Sequence, residues 1–575
     1  MAQSLKTPNV YRFEKDLSEI TTPAGTSIGA IVMSSRKGVV NERVLITNDK
    51  QLIDLFGTPI PDGEDVGIYA GMEYLKEADT LYVVRATSGG EQYADIIISG
   101  TSAVTSAGGV GVEAQSTAEL IIDAPDGNKP DAIFDLDNAS LVGVEELRIA
   151  CKGPGLYGND IGITVFNQSI TGTSAISGDA YDWDGKYDYP NKIVKISVFS
   201  KESTEPLFPT SPEEVFYVSS EYMKDGEGKQ LFVKDVINGN SKFIYVDTSS
   251  DGSTDSDVFG QAYTTSAGLP VALAGGLDSQ AITATKPYYV GSGLTDGWDL
   301  FKSRTAVDVH ILIDTHKIQN NTTCQKINGI AGARLDCISC VQAGSISTTA
   351  VDTIKSARTD LAPNFPSYCA VYTGFDKIYD SFNDRNVFIP KCVFGAVIMA
   401  RTDRIANTWD APAGINRGIL PSIGQSKTFT DTEIGLLYDY NINTSRFMRG
   451  TGNVLWGQKT AQRKKSALDR INVRRLLIYI ENSIEPSLIP FLFEPNSAKT
   501  RLRAFNVVDN FMNGVLAGGG VTKYEVVCDD TNNTAQTIDQ NEMNLDVYVQ
   551  PTKTIEFIRL NIVVTRTGVS FAEVR

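Results

Sequence analysis

Apolar residues along this chain change rhythm several times, and each change marks a different kind of element. TSIGAIVMSS, Thr26–Ser35, is a continuous apolar run that predicts a buried strand. DKQLIDLFG then sets Leu52, Ile53, Leu55 and Phe56 on one helical face and closes on Gly57, a natural C-cap. Val66–Lys76 reads as a second helix and TLYVVRA, Thr80–Ala86, as a second buried strand, so a βαβ unit is expected. Ahead of all this, Pro8–Ile20 is polar with no apolar period and reads as an extended arm.

The rhythm shifts at Thr87. From there to about Leu300, turns rich in Gly, Ser, Thr and Asp separate short alternating runs: ADIIISG, AELIID, IGITVFN, KIVKISVFS, EEVFYVSS and KFIYVD. That spacing predicts an all-β region. Afterwards VDVHILID (Val307–Asp314), LDCISCVQA (Leu335–Ala343) and YCAVYT (Tyr368–Thr373) read as strands, with helices near Gln319–Ala333 and Ala350–Leu361. An α/β core thus begins before the β region and resumes after it, and inserting a domain into a surface loop costs little closure entropy. Ile471, Val473, Leu476, Leu477, Ile480 and Ile484 recur at helical spacing up to Pro486, the expected stop. Leu502, Phe505, Val508, Phe511, Met512 and Leu516 predict another helix, ended by Gly518-Gly519-Gly520. KYEVVCD, NLDVYVQP and TIEFIRLNIVVTRTG (Thr554–Gly568) read as closing strands, and SFAEVR as a short exposed tail.

The 575 residues suffice for several domains, and 42% hydrophobic with 21% charged residues is the balance of a soluble globular protein. The seven cysteines are odd in number and mostly lie in apolar runs, which predicts reduced, packed thiols. MAQSLKTPNVYRFEKDLSEI has no apolar core of a secretory signal, and Cys392–Ala400 is far shorter than the roughly 20 residues of a membrane span, so a soluble product made in a cytoplasm is expected.

Candidate chemistry is thin. GTSIG, Gly25–Gly29, matches a nucleophile-elbow pattern, but it opens a strand, whereas an elbow closes one. The two histidines, His310 and His316, lie on or just after a predicted buried strand. Cys337-Ile338-Ser339-Cys340 falls in a strand pattern that sends its thiols to opposite faces, with no second pair to complete a metal site. Gly518–Lys523 lacks the Gly-Lys-Ser/Thr of a phosphate loop and closes a helix, where carbonyls face outward. No catalytic constellation, metal site or cofactor site emerges.

Charge changes the picture in one place. The chain carries formal net charge -17, yet Lys459, Arg463, Lys464, Lys465, Arg470, Arg474 and Arg475 crowd together against the single acid Asp469. Arg470 and Arg474 are expected four apart on one helix face. Nucleic-acid binding would call for interleaved aromatics, and a merely solvated face for balancing acids. A protein-docking face meeting an acidic partner fits the composition better, with internal ion pairs as the other reading. Lys499, Arg501 and Arg503 form a second such group.

Many separate stretches carry one resemblance. FGAVIMARTDRIANTWDAPAGINRGIL (Phe394–Leu420), YNINTSRFMRGTGNVLWGQKT (Tyr440–Thr460), DRINVRRLLIYIENSI (Asp469–Ile484), VVCDDTNNTAQTIDQNE (Val526–Glu542) and VQP (Val549–Pro551) resemble the tail sheath proteins of contractile-tailed bacteriophages. TPNVYRFEKDLSEI, Phe56-Gly57, LYVVRA, KGPGLYGNDIGITV, VKDVINGNSKFIYV and LAGGLD extend the likeness, in order, over nearly the whole chain; Ser88–Ser140 matches least.

The resemblance implies a structural protein, not an enzyme. It would polymerise as stacked six-membered rings around an inner tail tube and contract to drive that tube through the host envelope. Its partners would be itself, the tube protein, and the baseplate and tail terminator proteins, without direct nucleic-acid contact or membrane insertion. It would be assembled in the bacterial cytoplasm and carried in the virion. A phage-derived injection particle would use the same mechanics. The expected fold is an α/β (α+β) core built from both ends of the chain with inserted mainly-β outer domains. The divisions are an arm at 1–22, core at 23–87, insertions at 88–146 and 147–300, core with C-terminal domain at 301–566, and an arm at 567–575. Val10, Tyr11, Phe13, Val569, Phe571 and Val574 would add strands to neighbours. Arg463, Lys464, Lys465, Arg470, Arg474, Arg475, Lys499, Arg501 and Arg503 would face the tube or a neighbour.

Overall fold

A computed structural model of the chain describes residues 25, 27–60, 65–86, 93–99, 112–113, 146–153, 155–167, 194–201, 207–219, 222, 224, 228–248, 270–273, 296–348, 350–362 and 364–560. The expected strand AELIID and both arms lie outside these residues. The fold is mixed α/β with several sheets, and the chain divides into two compact units. The larger is Gly25–Ile405 with Pro412–Lys465; the smaller includes Ala406–Ala411 and Ser466–Arg575.

The larger unit opens with β1 (Gly29–Met33), β2 (Val44–Ile46), α1 (Asp49–Phe56), α2 (Gly67–Leu75) and β3 (Leu81–Arg85). Asn48 caps α1 by accepting from the Gln51 N–H, and Gly57 ends it at φ 86, a conformation that favours glycine. A β region follows: β4 (Asp95–Ser99), β5 (Val112–Glu113), β6 (Glu146–Cys151), β7 (Ile161–Asn167), β8 (Val194–Ser200), β9 (Glu214–Val218), α3 (Val233–Asn240), β10 (Ile244–Thr248) and β11 (Val271–Ala272). These strands form two antiparallel sheets, ordered β10-β6-β4-β5 and β11-β7-β8-β9. Ile149, Val246, Ile163, Val198 and the α3 residues Val233 and Ile237 share one buried cluster between them.

The chain then returns with β12 (Ile311–Ile313), α4 (Asn321–Arg334), β13 (Ile338–Ala343), α5 (Val351–Leu361) and β14 (Cys369–Thr373). Strands from before and after the β region join in one six-stranded sheet, ordered β14-β13-β12-β1-β3-β2, parallel except for the edge strand β2. Parallel strands need helices on both faces, which explains their near-continuous apolar runs. On one face Ala30, Val32 and Leu312 pack with Ile327 and Ala331 of α4. On the other, Ile31 and Met33 face α2, where a Cβ on Gly67 would lie 2.1 Å from that of Met33.

The strand β12 is shorter than the run VDVHILID suggests, and Cys337 falls just ahead of β13, leaving only Cys340 in the strand. The unit finishes with the hairpin β15 (Phe375–Asp380) and β16 (Arg385–Pro390), α6 (Lys391–Ile405), β17 (Gly424–Gln425), α7 (Asp431–Asp439), β18 (Ser445–Met448) and β19 (Gly452–Leu455). Gly395 lets α6 lie against β14, since a Cβ there would sit 2.3 Å from the Tyr372 ring.

The smaller unit is built on α8 (Ile471–Leu488), α9 (Ala498–Ala517), β20 (Val521–Val527), α10 (Ala535–Asp539) and β21 (Asp546–Pro551). Pro486 does not stop α8; it lies inside the helix. Its missing N–H falls in the last, exposed turn, and continuing the helix brings Leu488 against Phe491 and Val508 neighbours. The buried side of α9 is Ala504, Val507, Val508, Met512 and Val515, so the expected stripe is rotated: Leu502 and Leu516 are exposed. Gly518 caps α9 as expected, and Trp409 Nε1 donates to its carbonyl at 3.1 Å. β20 and β21 pair antiparallel. The strand expected from Thr554 is not formed over 552–560, and the rest of that run lies outside the described residues.

Candidate assembly interface

The basic residues do not form one stretch of like environments. The boundary between the two units falls after Lys465. In the larger unit, Arg463, Lys464 and Lys465 are exposed in a loop, and the Arg463 guanidinium stacks over Tyr440 at 5.2 Å. Lys459 is half-buried, donating from Nζ to the Tyr438 carbonyl at 2.7 Å.

In the smaller unit Arg470, Arg474, Arg475 and Arg501 turn inward. Arg470 is not on the α8 face; it is the extended residue just before the helix. Its Nε and Nη2 donate to the two carboxylate oxygens of Glu556 at 2.6 and 2.8 Å, and Asp469 stands 2.9 Å from Nη1. A bidentate pair of this kind is geometrically specific. Arg474 and Arg475 are buried in the first turns of α8, which are covered on nearly every side. Arg501 is buried and donates to Asp530 Oδ1 at 2.5 Å and to Asn496 Oδ1 at 3.0 Å. Lys499 and Arg503 are exposed, with Arg503 over the Phe491 ring at 5.3 Å. Of the basic residues expected to face the tube or a neighbour, Arg463, Lys464, Lys465, Lys499 and Arg503 are the exposed ones. Val10, Tyr11, Phe13, Val569, Phe571 and Val574 lie outside the described residues.

The remaining sequence candidates are absorbed by the fold. GTSIG leads into β1, and the Ser27 carbonyl accepts from the Tyr74 hydroxyl at 2.7 Å. Burial raises the Cys337 thiol far above its ordinary value, so it is a poor nucleophile. Among the described residues no group of three or more acidic, histidine or cysteine side chains could hold a metal ion. No described helix is long and apolar enough to cross a membrane.

Charge counting missed a different surface. β20 and β21 set Val526, Val547 and Val549 against Leu476, Ile480 and Met512, while Tyr548 points out at 60% exposure. Beyond Pro551, residues 552–560 lie in no strand, and Ile555, Phe557, Ile558 and Leu560 are about four-fifths exposed. Thr552 holds the start of this run to Gly519 and Gly520, and Arg470 holds Glu556. Large apolar side chains exposed in succession mark an interaction surface. The alternation of TIEFIRL was visible in the sequence, but a strand pattern does not say which chain supplies the partner.

Residues 463–565 match the family model for the phage tail sheath C-terminal domain, nearly the span of the smaller unit's main segment. The chain is similar to phage tail sheath proteins. It is 36% identical to the tail sheath protein of Enterobacteria phage T4 over 362 residues, which is 59% of this chain and 53% of that protein. It is 31% identical to the tail sheath protein of Vibrio phage KVP40, over 63% of this chain and 55% of the other. The chain thus spans about half the length of these curated relatives. A sheath tail protein from Listeria innocua shares the fold at TM-score 0.53 and 11% identity, over 93% of this chain and 97% of that one. Another from Desulfitobacterium hafniense gives TM-score 0.50 and 12% identity, over 95% and 100%.

Proposed function

We propose that this protein is the structural subunit of a contractile tail sheath. It polymerises as stacked six-membered rings around an inner tail tube and contracts to drive the tube through the host envelope. The tube protein, baseplate and tail terminator are its other partners, and it is assembled in the host cytoplasm before joining the virion. The observation that carries this reading is the two-stranded β20–β21 sheet followed, outside any strand, by the exposed apolar side chains of Ile555, Phe557, Ile558 and Leu560. Such a segment gains its hydrogen bonds by adding to a sheet of a second copy, where main-chain bonds supply grip and side chains set register. Val569, Phe571 and Val574 continue that strand addition, and Val10, Tyr11 and Phe13 perform it from the other arm. Subunits tied this way slide and rotate without separating, and contraction draws on the difference between two packings of one chain.

In this reading the α/β core faces inward, the β insertions outward. Arg463, Lys464, Lys465, Lys499 and Arg503 meet an acidic face of the tube or of a neighbouring subunit, while Arg470, Arg474, Arg475 and Arg501 hold the protein's own smaller unit. Negative-stain microscopy of the purified protein tests the proposal: striated tubes or rings are expected. A strictly monomeric preparation across salt and concentration overturns it. Deleting residues 1–20 should leave a folded monomer that forms no tubes.

A further inference from the structure

Asp376 and Lys391 form the most enclosed charged pair described in the molecule. Asp376, in β15, is 0% exposed, and Lys391, the first residue of α6, is 1% exposed. Lys391 Nζ lies 2.5 Å from Asp376 Oδ2. Yet the approach lacks hydrogen-bond geometry: among the described residues neither Asp376 oxygen has a partner that meets it. The amine is held in place from the other side, donating to Ser445 Oγ at 2.7 Å, and Ser445 Oγ also accepts from Gln425 Nε2. The backbone is pinned as well. Lys391 N–H donates to the Gly374 carbonyl at 3.0 Å, and Asp376 is paired in register with both Ile389 and Gln425.

We propose that Lys391 and Asp376 are joined by an intramolecular isopeptide bond between Nζ and Cγ. The chemistry balances without any co-reactant. Proton transfer within the pair converts ammonium and carboxylate into amine and carboxylic acid. Nζ attacks Cγ, the Nζ–Cγ bond forms, one Cγ–O bond breaks, and the oxygen leaves as water with a proton from the acid and one from the amine. Burial favours the reactive, neutral forms: it raises the Asp376 carboxyl, against the opposing pull of Lys391, Ser422 and Gln425, and lowers the Lys391 amine. A buried ion pair pays desolvation on both partners, and a neutral amide removes that penalty. Two reacting groups fixed at contact distance behave as one molecule reacting with itself, which is how a sluggish condensation proceeds without an enzyme. The bond ties the start of α6 to β15 and closes a covalent loop around the β15–β16 hairpin. This inference is independent of the sheath assignment.

The test is intact mass of the purified, denatured full-length protein, followed by peptide mapping. The expected result is a mass lower than the sequence mass by one water, and a branched peptide containing both Asp376 and Lys391. The full sequence mass, or a water loss with the two residues recovered in separate linear peptides, overturns the proposal. Asp376→Asn keeps the shape and changes the leaving group, so that variant should be lighter than its own sequence mass by one ammonia. Lys391→Arg should appear at full mass. If either variant does not fold, the mass of the unaltered protein still decides.

Discussion

Every residue of β1, β13 and β14 is buried, whereas β21 alternates exposed and half-buried positions along its length. The six-stranded sheet has helices on both faces and one short antiparallel edge strand, so most of its side chains are buried inside the unit. The β20–β21 sheet has one face on α8 and α9 and, among the described residues, no further strands. A two-stranded sheet is marginal alone. Under the proposed function the difference separates two tasks within one chain: the larger sheet makes a fold, and the smaller one is where a neighbour adds. Damage to the first should cost stability, and damage to the second should cost assembly with the fold intact.

The largest effect is expected at the closed sheet. Ile31→Asp places a carboxylate at a 0% exposed site facing α2. The cost is about 4 kcal/mol or more, enough to abolish soluble folded protein. Recovery of a folded, soluble variant with native circular dichroism would show that this sheet is less complete than its packing says. Next comes the open segment. Phe557→Ser with Ile558→Ser alters side chains that are 79% and 85% exposed. Thermal stability should change by no more than ~0.5 kcal/mol, while tubes disappear from negative-stain fields. A loss of thermal stability instead, with tubes retained among the folded fraction, would mean that the segment serves its own unit.

The sequence made the first region legible and half-hid the second. Runs such as GAIVM and CAVYT announce fully buried strands because burial on both faces removes polar residues. The return to α/β patterning after residue 300 likewise indicated a sheet built from distant segments. The fate of the arginines was not legible. The carboxylate that holds Arg470 is 86 residues away in sequence, so local counting saw an unbalanced base where the fold has an ion pair. Pro486 misled for a related reason: a proline ends a helix in isolation, but in an exposed last turn the lost bond costs less than packing Leu488 gains. The rotated face of α9 has the same origin, since Leu502 and Leu516 look like core until Val507 and Val515 are seen to take that role.

Arg470 offers a test between the extremes. It anchors the base of the exposed segment through Glu556, and both side chains are partly solvated, at 24% and 16% exposure. Arg470→Ala should therefore cost only about 1 kcal/mol of stability, discounted for that exposure. Assembly should suffer more than stability, because the segment loses the contact that aims it. Arg470→Glu combined with Glu556→Arg should recover part of the tube yield seen in unaltered protein. A swap no better than Arg470→Glu alone would remove the anchoring role.

The smallest effect is expected on the outside of the larger unit, where charge should act on the fold and not on assembly. Thr430 and Glu433 form a capping box at the start of α7. Lys427 beside it and the Thr430 backbone N–H hold the Glu433 carboxyl down to about 2, from an ordinary 4.5. A depressed folded-state value means that the contribution is fully present above pH 4.5 and is lost as pH falls toward 2. Glu433→Gln keeps the shape and removes the titration. It should lower stability by roughly 0.5 kcal/mol at neutral pH, given the solvent around the pair. The two proteins' thermal midpoints should converge on acidification, with tube formation at neutral pH unchanged. A constant gap between the midpoints down to pH 2 would assign the effect to packing, and lost tubes would move this part of the larger unit to the assembling side of the comparison.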